Sequence, residues 1–201
     1  MITVAALYVQ RGGVYWDLDG VDPWDESRDA RTYAGPHPVV AHPPCNLWVN
    51  FAALNYRRYG GEHNIPGNDG GLFAAALAAV RHWGGVLEHP ASSNVWSAHG
   101  LTAPTSMGWQ SCGHNEWVAE VWQSAYGHKA RKRTWLYAVT ANPPPVLDCR
   151  AVAGVAQIGW QFVGTHCRGE IARKSPLSKR EASATPPAFR DLLLSIARGA
   201  R

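Results

Sequence analysis

The chain has 201 residues, long enough for one domain with a real core, and its 46% hydrophobic content excludes a disordered polymer. No apolar run approaches the roughly 20 residues that span a bilayer, and four cysteines are too few for a disulfide framework, so a cytoplasmic protein without a membrane partner is expected. The net charge of +4 is mild but uneven: residues 128–133 (HKARKR) and 168–180 (RGEIARKSPLSKR) are basic, while residues 17–29 are acid-rich. Basic clusters of this kind are either solvated surface or a match for a phosphate backbone.

The opening MITVAALYVQRGG has no basic leader and no cleavage site, and reads as a first strand over 3–9 followed by a turn at Gly12-Gly13. Residues 17–33 read as loop, with room for one helical turn. A second strand over 37–41 runs into His42-Pro43-Pro44-Cys45, where the prolines end the strand and stiffen the loop beyond it. Residues 46–59 read as a helix capped by Asn46. After a polar loop, with Asn68 or Asp69 placed to cap, LFAAALAAVRHW over 72–83 is the clearest helix in the chain. Gly84-Gly85 end it, and VLEHP makes another strand that stops at a proline.

Further on, residues 116–124 and 133–140 read as strands around the turn YGHKARK. The stretch 141–170 is proline-rich and weakly patterned. Ser178 caps a short helix, and Thr185-Pro186-Pro187 opens the last one. Strands alternating with helices imply a parallel sheet, in which ligands bind beyond the carboxyl ends of the strands. Cys45 and Glu88 both fall just past strand ends.

A thiolate is a strong nucleophile, favoured by a helix N-terminus or nearby positive charge. The expected helix at Asn46 and the basic turn at 128–133 supply both to Cys45. Glu88, if partly buried, can be held protonated and donate to a ring nitrogen. Arg131 and Arg133 provide fixed donors for a carbonyl oxygen or a phosphate. Cys112, His114, Cys149, His166 and Cys167 could in principle assemble zinc, but their spacing matches no compact metal signature, and no metal is expected.

These residues carry a resemblance. His42-Pro43-Pro44-Cys45 resembles the Pro-Cys nucleophile loop of the DNA cytosine-5 methyltransferases. Val86-Leu87-Glu88-His89-Pro90 is similar to their Glu-Asn-Val strand end, with His89 and Pro90 replacing Asn and Val. The segment from Tyr126-Gly127-His128 to Arg131-Lys132-Arg133 is similar to their Tyr-Gly-Val-Pro-Gln-x-Arg-x-Arg. Leu177-Ser178-Lys179-Arg180-Glu181, with Pro186 to Phe189, resembles their late Leu-Thr-x-Arg-Glu and Phe-Pro segment. The matches keep the family's order over most of residues 39–190.

The resemblance implies a truncated Rossmann-like, mostly parallel α/β sheet with flanking helices, forming a single domain over 1–201. Residues 141–176 would be a small irregular insertion in place of a target-recognition domain. It implies that Cys45 adds to C6 of cytosine, that Glu88 contacts N3 and the exocyclic amine, and that Arg131 and Arg133 hold the ring carbonyl and the nucleophile loop. His42, Pro44, His89, Tyr126 and His128 would contact the substrate. S-adenosylmethionine would be the methyl donor, with Gly12, Gly13 and Asp22 as its contacts, and the partner would be DNA, its base flipped out, or a cytosine nucleotide.

Two departures stand beside this. Val9-Gln10-Arg11-Gly12-Gly13 does not match the family's Phe-x-Gly-x-Gly cofactor loop, and its closing Gly-Asn-Ser is absent. The roughly 40 residues between Arg133 and Leu177 are too few for full sequence readout, so weak sequence selectivity is expected. Two other readings stay open: a pyrimidine-modifying enzyme with another donor or a free nucleotide, and a non-catalytic nucleic-acid-binding protein of the same fold.

Overall fold

The computed structural model describes residues 2–49, 51–91, 93–150 and 177–200. Seven strands form one sheet: β1 (Val4–Leu7), β2 (Val21–Trp24), β3 (Val39–Ala41), β4 (Gly85–Pro90), β5 (Gln110–Gly113), β6 (Glu116–Trp122) and β7 (Arg133–Val139). Their spatial order is β2-β1-β3-β4-β7-β6-β5. β2, β1, β3 and β4 pair in parallel, whereas β4–β7, β7–β6 and β6–β5 pair antiparallel. The α/β class holds, but the sheet is mixed and not mostly parallel. The reason is the wiring around β6: β5 and β6 join through the two residues His114 and Asn115, and β6 returns to β7 without a crossover helix, so these neighbours must run antiparallel.

The helices are α1 (Ala52–Tyr59), α2 (Leu72–Trp83), α3 (Val95–Ala98), α4 (Lys179–Ser183) and α5 (Pro187–Arg198). Strand alternation divides the core into two faces. Val4, Ala6, Val40, Val86, Leu136 and Ala138 pack with Phe189, Leu193 and Ile196 of α5. Ala5, Leu7, Val39, Ala41, Leu87 and Tyr137 pack with Phe73, Ala76 and Val80 of α2. Both faces are covered, which is why β1 and β3 are continuous apolar runs without alternation.

α2 spans the residues its sequence implies, and the Asp69 carboxylate accepts from the Phe73 backbone N–H (3.0 Å). The reciprocal cap of Ser178 and Glu181 opens α4, and a proline occupies the first position of α5. Elsewhere the structure departs from expectation. β1 ends at Leu7, because Tyr8 turns the chain with φ 60° and donates its hydroxyl to the Leu72 carbonyl (3.0 Å). Residues 21–24, expected as loop, form the edge strand β2; its Pro23 is tolerated at an edge. Asn46 caps nothing: residues 46–48 form a turn, and α1 begins only at Ala52. Trp48 holds that turn, donating Nε1 to Asp69 (2.9 Å) while its carbonyl accepts the Asn94 N–H (2.9 Å).

β5 and α3 had no counterpart in the sequence pattern. Residues 141–150 carry no regular structure, and the remainder of the expected insertion, 151–176, lies outside the described residues. Among the described residues no helix is long and apolar enough to cross a membrane.

Candidate active site

β1 sends the chain outward to β2 on one side, while β3 and β4 lie on the other, so the sheet reverses its direction of winding between β1 and β3. The carboxyl ends of strands at such a reversal form the crevice where open α/β sheets hold ligands. The loop His42-Pro43-Pro44-Cys45 leaves β3 here. The β3–β4 register pairs Ala41 with Leu87, which brings the next residues, His42 and Glu88, side by side on the α5 face.

His42 Nδ1 lies 2.9 Å from Glu88 Oε1, and His42 Nε2 lies 2.8 Å from Tyr15 Oη, whose ring comes from the loop after β1. Glu88 is 9% exposed and Tyr15 3%. The second carboxylate oxygen, Oε2, is buried and has no hydrogen-bond partner among the described residues. A carboxylate can only accept, so Nδ1 of His42 carries a proton toward Oε1.

The electrostatics reverse one expectation. Burial raises the Glu88 pKa, but Lys132 and the His42 hydrogen bond outweigh it and pull it down to about 2. Glu88 is therefore ionised in the resting site, not held protonated. The Cys45 thiol is half-buried, and burial pushes its pKa up, with the Glu88 charge adding and Lys132 opposing. The helix N-terminus expected to stabilise its thiolate is absent, since α1 starts well beyond Cys45. The resting pair is thus a thiol beside a carboxylate.

His89 points to the α2 face. It is fully buried, meets Phe73 edge-on at 5.4 Å, and burial lowers its pKa to about 4, with Glu88 and the Pro44 carbonyl partly opposing. It is a neutral wedge between β4 and the proline loop. Pro44 itself is exposed at the rim.

The two arginines are not where the resemblance would put them. Arg133 belongs to the α2 side of β7, where Nε and Nη2 donate to Glu120 (3.0 and 2.6 Å) and the guanidinium lies 5.7 Å from the Trp122 ring centre. Arg131 is exposed and makes no hydrogen bond or ion pair with any described residue. The residue between them, half-buried Lys132, is the cation that acts on Glu88 and Cys45. The turn decides this: the Lys132 N–H donates to the Ala130 carbonyl (2.8 Å), so the chain bends at Arg131 before β7 begins at Arg133. Nothing in the sequence singled out Lys132 from its basic neighbours, and nothing in it pointed to Tyr15.

Two further expected substrate contacts have other partners. Tyr126 packs on Phe189 (5.5 Å between ring centres), and its hydroxyl accepts the Asp148 N–H (2.7 Å). His128 is buried, and its Nδ1 accepts the Ala130 N–H (2.9 Å), locking its own turn. The residues expected around S-adenosylmethionine do not form a cradle for it. The Gly13 N–H donates to the Gln10 carbonyl (2.9 Å), and a Cβ at Gly13 would meet that same oxygen at 2.8 Å. A Cβ at Gly12 would meet nothing within 4 Å; its φ of 62° makes the turn. Asp22 accepts from Trp24 Nε1 (2.8 Å) and Arg28 (2.6 Å), so its carboxylate is already engaged.

Cys45, Cys112 and Cys149 are free thiols, and among the described residues no group of three or more His, Cys, Asp or Glu side chains is arranged to hold a metal ion. His166 and Cys167 lie outside those residues. No protein-family model matches the chain, and no curated protein matches it.

Proposed function

We propose that the protein is a pyrimidine-modifying enzyme of the cytosine-5 methyltransferase type, acting on cytosine in DNA or in a nucleotide, with Cys45 as nucleophile. The parallel half of the sheet, β2-β1-β3-β4, serves as a truncated Rossmann-like rim for it. One observation carries the reading: a half-buried thiol and a buried carboxylate with a partnerless oxygen follow adjacent strand ends, within electrostatic reach of each other and of Lys132.

Addition to the ring starts from a thiol and an ionised carboxylate, so the proton must leave sulfur as the carbon–sulfur bond forms. The Cys45 proton passes to Glu88 Oε2 as sulfur bonds to C6, and Glu88 delivers that proton to N3. C5 becomes nucleophilic and takes a carbon from an electrophilic one-carbon donor, whose leaving group departs with the bonding electrons. Loss of the C5 proton to solvent expels sulfur from C6; the N3 proton then returns through Glu88 to Cys45. Lys132 holds the local charge near neutral while the proton moves.

A second reading, with a donor other than S-adenosylmethionine, is favoured by the closed Gly12-Gly13 turn and by Tyr15 filling the loop after β1. Nucleoside mass spectrometry of DNA and nucleotide pools from expressing cells, beside a Cys45→Ala control, tests both. A Cys45-dependent gain of one methyl on deoxycytidine is the expected result. A different Cys45-dependent mass keeps the nucleophile and replaces the donor. Unchanged nucleosides, together with no covalent complex on DNA containing 5-fluorocytosine, would leave the non-catalytic nucleic-acid-binding reading in place.

A further inference from the structure

We infer that Tyr15 and His42 form a buried positioning arm that sets which oxygen of Glu88 meets the substrate. Tyr15 is buried, and His42 Nε2 at 2.8 Å is its hydroxyl's hydrogen-bond partner among the described residues. A buried O–H left without an acceptor is costly, so the hydroxyl donates to Nε2, which must then be bare. The imidazole proton therefore sits on Nδ1, where it donates to Glu88 Oε1 at 2.9 Å. Three residues from three separate segments, the loop after β1, the end of β3 and β4, are locked in one direction of donation.

The consequence falls on Glu88. Oε1 is occupied by His42, and Oε2 is the buried oxygen with no partner among the described residues. The arm therefore presents one oxygen, in one orientation, to whatever enters beside Cys45. The other groups facing this arm are Lys132 ahead of β7, His89 on β4, Cys45 on the same loop as His42, and Arg190 and Asp191 of α5 beside Tyr15. Arg190 is committed to Asp191 (2.8 Å) and the Val14 carbonyl (2.9 Å), His89 is turned to the opposite face of β4, and Tyr15 is the hydrogen-bond partner of Nε2 among the described residues. Neither Tyr15 nor His42 need touch the substrate; both act through Glu88.

The rate consequence rests on the base chemistry proposed above, but the proton's position on His42 does not. The test is nitrogen-15 NMR of the imidazoles at neutral pH, together with kcat and KM for base modification, in the wild-type protein and in Tyr15→Phe, His42→Asn and His42→Ala. The wild-type His42 is expected with its proton on Nδ1 and a bare Nε2. Tyr15→Phe should leave the proton on Nδ1, move the Nε2 resonance to that of a nitrogen without a hydrogen-bond donor, and lower kcat about tenfold with KM little changed, the equivalent of one lost hydrogen bond. His42→Asn, which retains an N–H for Oε1, should keep most of the activity that His42→Ala loses.

Protonation on Nε2 in the wild type overturns the arm, and needs no variant to fold. So does a Tyr15→Phe protein whose Nε2 resonance and kcat are both unchanged. A wild-type protein that carries the Nδ1 proton yet modifies no pyrimidine keeps the arm and overturns the function proposed for it.

Discussion

Lys132 and Arg133 are neighbours with the same charge and opposite fates. Arg133 spends its charge on Glu120, whose largely buried carboxylate also accepts from Trp135 Nε1 (2.8 Å). Lys132 faces Glu88 and Cys45, holding the carboxyl ionised and opposing the rise of the thiol. Removing its charge should leave less thiolate at any given pH. Lys132→Met is thus expected to slow iodoacetamide alkylation of Cys45 at pH 8 by about threefold or more. Arg133→Met should leave that rate unchanged, and the reverse ranking in mass-spectrometric alkylation kinetics would return the functional cation to position 133. The sequence displayed both residues in one basic run; the turn at Ala130–Lys132 and the pairing of Arg133 with Glu120 separate them.

At the scale of elements, legibility follows locality. α2 is an apolar, alanine-rich run bounded by Asp69 and Gly84, each of which acts within a few residues, and its limits are those the sequence implies. β3 and β4 likewise stop at prolines. α1 misleads because its start depends on Trp48, whose indole is held by Asp69 some twenty residues away. The junction of α2 with β4 shows how tight the frame is. Gly85 has φ 121°, and a Cβ there would sit 2.0 Å from the Val39 carbonyl oxygen, inside the β3–β4 pairing that aligns His42 with Glu88. Gly85→Ala should therefore cost more than about 2 kcal/mol in urea unfolding and lower activity with it. A variant of near-native stability would mean that β3 and β4 can move apart without loss.

Over the whole molecule, global stability should record the two buried ionisable groups on β4. The folded protein holds Glu88 near 2 against an ordinary 4.5, so its contribution is present above the ordinary value and lost as pH falls toward 2. His89 is held near 4 against 6.5, so the unfolded chain binds a proton more readily, and acid favours unfolding from 6.5 down toward 4. Both effects have the same sign in adjoining windows. Unfolding free energies from urea titrations should fall from pH 6.5 to 2, by roughly 2–3 kcal/mol for each group as an upper order of magnitude. Glu88→Gln should flatten the lower part of the curve and His89→Phe the upper part. A wild-type curve that is level over this range would show that neither group is held as the structure has it.

The sequence alone determined what is local: a thiol behind two prolines, a carboxyl at the next strand end, the long alanine-rich helix, and a cationic turn before the last strand. Periodicity, capping and proline chemistry act over a few residues and can be read from the chain. Tertiary structure decided the rest. Hairpin returns after β4 made half of the sheet antiparallel, and the two-faced core put Lys132, not Arg133, beside Glu88. The fold also carried Tyr15 across 27 positions of sequence to His42. The charge states of Glu88 and Cys45 belong to that second group as well, because burial and through-space fields exist only once distant segments have met.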